Sequence, residues 1–249
     1  MINKAMKHWI RLPLEKAFNV RELGGIPACI GGQTSWHSFL RADDISRLTD
    51  KDMQFLLEYG VSTVIDLRSP LEVAEKPDRL GASCGVLNVN IPLLDDADLS
   101  RASQMEFVDH IHMDDMYLDM LERKEAIKSV FDVIAADQDG CVLFHCSAGK
   151  DRTGVVALLL LMLAGADKQD CLNNYIQSYV NLTRDEAYND MMKTYSAAQY
   201  LMESRPEYLE KIYQYVDGFS GGIEGYLESC GISSHTIFFV RERLLGSGS

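Results

Sequence analysis

Cys146 and Arg152 stand six residues apart in the run HCSAGKDRTG, His145 to Gly154, which leads from a short apolar stretch at Cys141 to His145 into a longer one that starts at Val155. Where a strand passes through a glycine-containing loop into a helix, the loop N–H groups turn inward and the helix N-terminus adds positive potential, so an anion is held there. Ser147, Ala148, Gly149, Lys150, Asp151 and Arg152 are the residues expected to line that cradle, and phosphate fits it. A thiol beneath such N–H groups and beside two cations loses its proton readily, which makes Cys146 a nucleophile at neutral pH. Arg152 can hold two phosphate oxygens at once and follow them into the transition state, whereas lysine acts only as a point charge. His145 is expected to fix the loop by hydrogen bonding, and Thr153 to donate its hydroxyl to the sulfur and ease its departure. The chemistry is covalent phosphoryl transfer through a phosphocysteine, with inorganic phosphate as product and no cofactor required.

The elements that must position this loop are legible from period and punctuation. Val61 to Leu67, Gly85 to Leu93 and Cys141 to His145 are short, β-branched runs bounded by Gly, Pro and Asp, and read as buried strands. Helical patterns lie between them. Thr49 with Asp52 makes a capping-box start and Gly60 a stop, while Ile127, Val130, Phe131 and Ile134 repeat at helical spacing. This alternation predicts an α/β fold, a mostly parallel central sheet flanked by helices. Residues 95–121 and 167–204 are expected as helical, lid-like embellishments of a single domain over 1–245. Asp114 and Asp115 interrupt the first of these stripes. Gly221, Gly222 and Gly225 mark a loop before two C-terminal helices that end at Leu245, and 246–249 reads as a disordered tail.

Among 249 residues, 24 Lys and Arg oppose 37 Asp and Glu, a net charge of −13, which argues against binding nucleic acid or anionic membrane indiscriminately. Residues 95–119 alone carry eight acids against Arg101, and this segment is expected to form a mobile acidic cover near the cleft that favours phosphoprotein over lipid substrates. The longest apolar run, Val155 to Ala164, has about half the length of a membrane span. No signal h-region follows the basic N-terminus, so the chain reads as cytoplasmic, with export independent of a signal peptide left open. Six scattered cysteines read as reduced thiols, Cys84 and Cys141 among them as buried small hydrophobes, and no spacing suggests zinc. His110 and His112, with Asp109, Asp114 and Asp115, do not share a helical face, so no metal site is expected.

The C-x5-R loop in the form HCSAGKDRTG resembles that of the cysteine-dependent protein tyrosine phosphatases. FNVRELGG at Phe18 to Gly25 and VIDLRSPLE at Val64 to Glu72 look like the opening motifs of the bacterial tyrosine phosphatase family with a GKDRT loop. The likeness continues through WHSFLRADDISRLT, NNYIQSY and IEGYLESCGIS, and so covers nearly the whole chain. It implies a sheet flanked by helices of the tyrosine phosphatase type and hydrolysis of phosphotyrosine, extending in some members to phosphoserine, phosphothreonine or phosphoinositides.

The resemblance also implies that Asp151 is the general acid. A carboxyl beside Lys150 and a helix N-terminus is better suited to act as the base of the hydrolytic step, so Asp95, Asp96 and Asp98, after the second strand, stay open as alternatives. The Lys-Asp pair is associated in the family with phosphoinositide activity, which gives Lys150 either that role or one as a rim charge. Asp66 and Arg68 support the loop or form a structural ion pair, and Asn19 and Arg21 are expected to fix a turn packed near it. The substrate is thus a phosphorylated protein or a phosphoinositide. The competing class is a phosphate-binding module without turnover, whose usual signature, loss of the cysteine or arginine, is absent.

Overall fold

A computed structural model describes residues 7–28, 32–82, 85–97, 113–137, 140–194 and 203–246. Its centre is a five-stranded sheet in the order β1 (Arg21–Glu22), β4 (Phe39–Ala42), β7 (Cys141–His145), β5 (Val61–Asp66), β6 (Leu87–Asn90), and a two-stranded ribbon, β2 (Pro27–Ala28) with β3 (Gly32–Gln33), stands apart. The β4, β7, β5 and β6 strands are parallel and β1 is antiparallel to β4, so the expected mostly parallel α/β sheet is present.

Alternation along the central strand separates two cores. Val142 and Phe144 enter one apolar cluster, Cys141 and Leu143 the other. The β5 strand keeps that parity only because it shifts register between Val61 and Thr63, which returns Val61 to the same side as its partner Cys141. On the larger side lies α5 (Arg152–Leu163), with eleven of its twelve residues buried. A helix apolar all round is stable only when surrounded, and Val155 to Leu163 are packed against β7, Leu209, Ile212 and Tyr226. Helices α3 (Met113–Glu122), α4 (Lys124–Ala136), α6 (Lys168–Leu182), α7 (Glu186–Thr194), α8 (Pro206–Asp217), α9 (Gly222–Ser229) and α10 (Ser234–Leu245) complete the chain. Helix α1 (Asp50–Tyr59) belongs to the smaller core, through Leu56 and Tyr59, and α2 (Pro70–Glu75) follows β5.

Local chemistry sets these boundaries. Thr49 caps α1 in a capping box with Asp52, and Gly60 ends it in the left-handed region at φ 103°. Ser69 caps α2 in a second capping box with Glu72, Pro70 occupying the first turn.

Three expectations are corrected. The stretch Gly85 to Leu93 is not a buried strand: its ordered part, Leu87–Asn90, pairs with β5 alone among the described residues and leaves Leu87 54% exposed, as an edge strand can. Asp114 and Asp115 do not break a helix but lie inside α3, and Gly225 lies inside α9, whose N-cap is Gly221 at φ 90°. Of the acidic segment, 98–112 lies outside the described residues, with Asp98, Asp109, His110 and His112, as do Cys84 and 247–249. No described helix is long and apolar enough to cross a membrane.

Candidate active site

Register aligns the carboxyl ends of three parallel strands. His145 of β7 stands opposite Ala42 of β4 and Asp66 of β5, so Asp43, Cys146 and Arg68 emerge at one crevice, the place where open α/β sheets bind ligands. Cys146 is free and buried, and the next five residues turn the chain into α5, whose first residue is Arg152. Gly149 is required there. Its φ is 65°, and a Cβ would come within 2.4 Å of the Ala42 carbonyl oxygen.

The loop is held from behind by its carbonyls. The Asp44 N–H donates to Ser147 O at 3.1 Å. Asn19 Nδ2 donates to Ala148 O at 3.0 Å and to Gly149 O at 3.1 Å, and Arg41 Nη2 donates to Gly149 O at 2.8 Å. The N–H groups of Ser147, Ala148 and Gly149 donate to no backbone carbonyl among the described residues. With the oxygens engaged behind, the amides are left for an anion in front. Asn19 is itself placed by Asp43, whose carboxylate accepts from the N–H groups of Phe18 and Asn19 at 2.9 and 3.0 Å. Burial still pushes the Asp43 carboxyl up to about 6. Arg21 donates to Asn19 O at 3.1 Å and to its side-chain oxygen, so the FNVRE turn acts as a bracket beneath the loop.

Glu72 faces Arg152. Nη1 reaches Oε2 at 2.5 Å and Nη2 reaches Oε1 at 2.9 Å, while Ser147 Oγ donates to Oε1 at 2.5 Å. Burial works against the Glu72 charge, yet the hydrogen bond and charge of Arg152 hold the carboxyl down to about 2. The same side chain closes the α2 capping box, accepting from the Ser69 N–H at 2.9 Å. Glu72 is not among the site residues expected from the sequence; its signal there is the spacing S-x-x-E just after a strand end.

Asp66 and Arg68 are paired directly. Arg68 Nε and Nη2 lie 2.9 and 2.6 Å from the two Asp66 oxygens, and Nη2 lies 2.7 Å from Asp78 Oδ1. Asp78 Oδ2 in turn accepts from His145 Nε2 at 3.0 Å, and the other ring nitrogen lies 3.3 Å from Cys146 O. Both nitrogens face acceptors, as an imidazolium requires. Burial lowers the His145 pKa and the hydrogen bond to Asp78 outweighs it, so the net direction is up. Asp66, Asp78 and His145 are close enough together to suggest a metal, but the Arg68 guanidinium already bridges both carboxylates.

Asp151 occupies the α5 N-cap position without capping it. Its carboxylate instead accepts from Tyr117 Oη and lies 3.4 Å from Lys150 Nζ. Tyr117 and Tyr175 share a 2.6 Å hydrogen bond, and burial followed by the charge of Asp151 raises the Tyr117 pKa. Lys150 also donates to Glu203 O at 3.1 Å. Among the alternatives, Asp96 accepts from the Leu71 N–H at 3.4 Å and Asp95 lies 3.8 Å from Arg123. The Thr153 hydroxyl is buried without a hydrogen-bond partner among the described residues, the Cys146 sulfur included. A cleft of about 400 Å³ opens over Ser147 and Ala148, lined by Asp43, Asp44, Glu72, Glu75 and Asp185 together with Arg47, Arg68 and Lys76.

A turn of this form, with a thiol at one end and a guanidinium at the other, is the anion-holding element that defines cysteine-dependent phosphatases as a class. The model of the tyrosine phosphatase family matches residues 12–246, and the chain belongs to that family. It is 35% identical over 234 residues to a tyrosine-protein phosphatase of Nostoc commune, covering 89% of this chain and 79% of that one. It is 30% identical over 250 residues to the triple specificity protein phosphatase PtpB of Mycobacterium tuberculosis, covering 83% and 90%. Among solved structures, P. aeruginosa TpbA matches at 19% identity with a TM-score of 0.45, covering 91% of this chain and 98% of that one.

Proposed function

We propose that this enzyme hydrolyses phosphomonoesters through a phosphocysteine, with phosphotyrosine in proteins as its principal substrate. The observation that carries this reading is the loop itself: a buried thiol at its start, carbonyls fixed behind it, and an arginine pre-set by Glu72 at its end. Cys146 attacks phosphorus in line, the P–O bond to the leaving phenolate breaks, and Asp151 supplies the proton. Arg152 and the loop amides hold the equatorial oxygens throughout. Water then attacks the phosphocysteine, Asp151 takes its proton, and phosphate leaves as the thiolate is restored. His145 and Arg68, tied to Asp78, keep the end of β7 in place.

Two observations favour phosphoprotein over phosphoinositide. The Lys150 ammonium is engaged by Asp151 and by Glu203 O, where holding a neighbouring ring phosphate would draw it away, and the cleft lining carries five acids against the three cations Arg47, Arg68 and Lys76. The name of the mycobacterial relative as a triple specificity phosphatase supports extending the substrates beyond phosphotyrosine.

Cys146→Ser is expected to abolish turnover of a generic aryl phosphate while phosphate still binds; retained turnover removes the nucleophile assignment. Release of phosphate from phosphotyrosine peptides, phosphoserine peptides and phosphoinositides, compared on one preparation, tests the substrate. A faster rate on phosphoinositides overturns the preference, and no release from any of them leaves a binding module.

A further inference from the structure

Two guanidiniums lie fully buried behind the phosphate loop, and neither has a carboxylate within 4 Å among the described residues. Arg21, on β1, donates through Nη2 to Asn174 O at 2.6 Å and to Ser178 Oγ at 2.8 Å. Arg41, on β4, donates through Nη1 to Asn174 Oδ1 at 2.7 Å and through Nη2 to Gly149 O at 2.8 Å, with Ser178 Oγ at 3.4 Å. The Nε of each is buried without a partner. Two like charges thus share Asn174 and Ser178 of α6, and every acceptor that either guanidinium touches is neutral. Arg68, equally deep in the same protein, is paired with Asp66 and Asp78. A buried charge without a counterion is costly, and a neutral donor would orient the Gly149 carbonyl as well.

The missing counter-charge is on the other face of the loop. Burial pushes Arg41 down to about 10, and foremost among the groups that oppose this is Cys146, followed by Tyr175, Tyr117 and Asp151. The remaining charges around the loop are Lys150, His145 and Arg152 on its own segment, Glu72 from α2, and Asp43 on the Arg21 side.

We propose that Arg41, backed by Arg21, is a positioning residue that acts by its charge: it supplies a fixed positive field from beneath the loop that stabilises negative charge in the cradle, first on the Cys146 sulfur and then on the phosphoryl group. This rests on the reading of Cys146 as the nucleophile. In a dry interior such a field is little screened, and it is in place before substrate arrives, so no reorganisation is needed at the moment of reaction.

Asn174→Asp tests this in place, because it sets a carboxylate at the 2.7 Å contact while Arg41 and its bond to Gly149 O are kept. Two quantities are read: the rate of Cys146 alkylation by iodoacetamide at pH 6, and the affinity for inorganic phosphate by calorimetry. Phosphate affinity is expected to fall about tenfold, the scale of one compensated charge at an effective dielectric near 20, and the alkylation rate to fall with it. Asn174→Ala, which removes the acceptor and adds no charge, is expected to stay within about threefold of wild type. A folded Asn174→Asp protein with wild-type alkylation and phosphate affinity overturns the proposal. Should that variant fail to fold, Arg41→Lys is compared with Arg41→Gln: losses confined to the glutamine variant support a role of charge, and equal losses overturn it. Phosphate affinity needs no turnover, so this result stays separate from whether Cys146→Ser abolishes hydrolysis.

Discussion

Glu72 and Arg152 meet at two points, with separations of 2.5 and 2.9 Å, and the same carboxylate is held by the Ser69 N–H and by Ser147 Oγ. The guanidinium plane is therefore fixed from α2, an element other than the one that carries it. Two Nη atoms face Glu72 and Nη2 also lies 3.4 Å from Ser147 Oγ, which leaves Nε and the second Nη1 hydrogen to approach phosphate.

Glu72→Gln is accordingly expected to lower kcat/KM on aryl phosphates by roughly 10- to 100-fold, since a misplaced bidentate clamp forfeits part of the orientational gain. Undiminished kcat/KM would mean instead that Glu72 competes with substrate for Arg152. The pairing also sets a pH dependence. The folded-state pKa of Glu72, about 2, lies below its ordinary value near 4.5, so its contribution to stability is complete above about 4.5 and is lost as pH falls toward 2. Urea midpoints measured across that window should converge for wild type and Glu72→Gln as acidity rises. Parallel curves would refute the linkage.

Asp151 receives a hydrogen bond from Tyr117, which is joined to Tyr175, and this chain aims the carboxyl from α3 and α6. If Asp151 protonates the leaving group, Asp151→Asn should slow phenyl phosphate by roughly 100-fold or more and p-nitrophenyl phosphate much less, because only a poor leaving group needs the proton. Equal losses on both would reassign the acid. Tyr117→Phe is expected to reproduce the same leaving-group dependence more weakly, with KM unchanged.

What the sequence showed of this site follows from how local each signal is. Cys146 to Arg152 could be read because nucleophile, glycine, cation and helix start are contiguous. The β5 and β7 strands were visible as β-branched runs, and α1 as a capping box. The four-residue β4 strand was not, because FLRA carries an arginine at the very position that supports the loop. Glu72, Asp78, Arg41, Asn174 and Tyr117 lie far from Cys146 in sequence, and only strand order and helix packing bring them to it. Leu87–Asn90 is an edge strand where a buried one is expected for a related reason: apolar, β-branched composition does not distinguish a central parallel strand from an edge one.

Glu22 offers a pH test remote from catalysis. Its carboxyl accepts from Tyr59 Oη at 2.5 Å and from the His37 and Gly24 N–H groups, and burial nevertheless raises its pKa to about 7. A carboxyl raised from 4.5 binds more protons folded than unfolded, so stability should decline as pH rises from about 4.5 to about 7 and then level. Glu22→Gln should lessen that decline, seen as a flatter Tm against pH, with the part due to Asp43 remaining below about 6, whereas an unchanged slope would place its origin elsewhere.

A single glycine lies between Cys146 and Arg152. Gly149 combines a left-handed φ with contact against the Ala42 carbonyl, and its own carbonyl accepts from Asn19 and Arg41. An alanine there meets both a strained backbone and backbone atoms that belong to a central strand and cannot yield. The loop is the softer partner, so it should be pushed forward, its carbonyl drawn away from Arg41 and its amides out of convergence. Gly149→Ala is thus expected to cost roughly 100-fold or more in kcat, comparable to losing an oxyanion donor, while circular dichroism stays native because β4 and α5 are anchored by their own packing. Near-normal kcat would show that the amides do not need the geometry that the glycine permits.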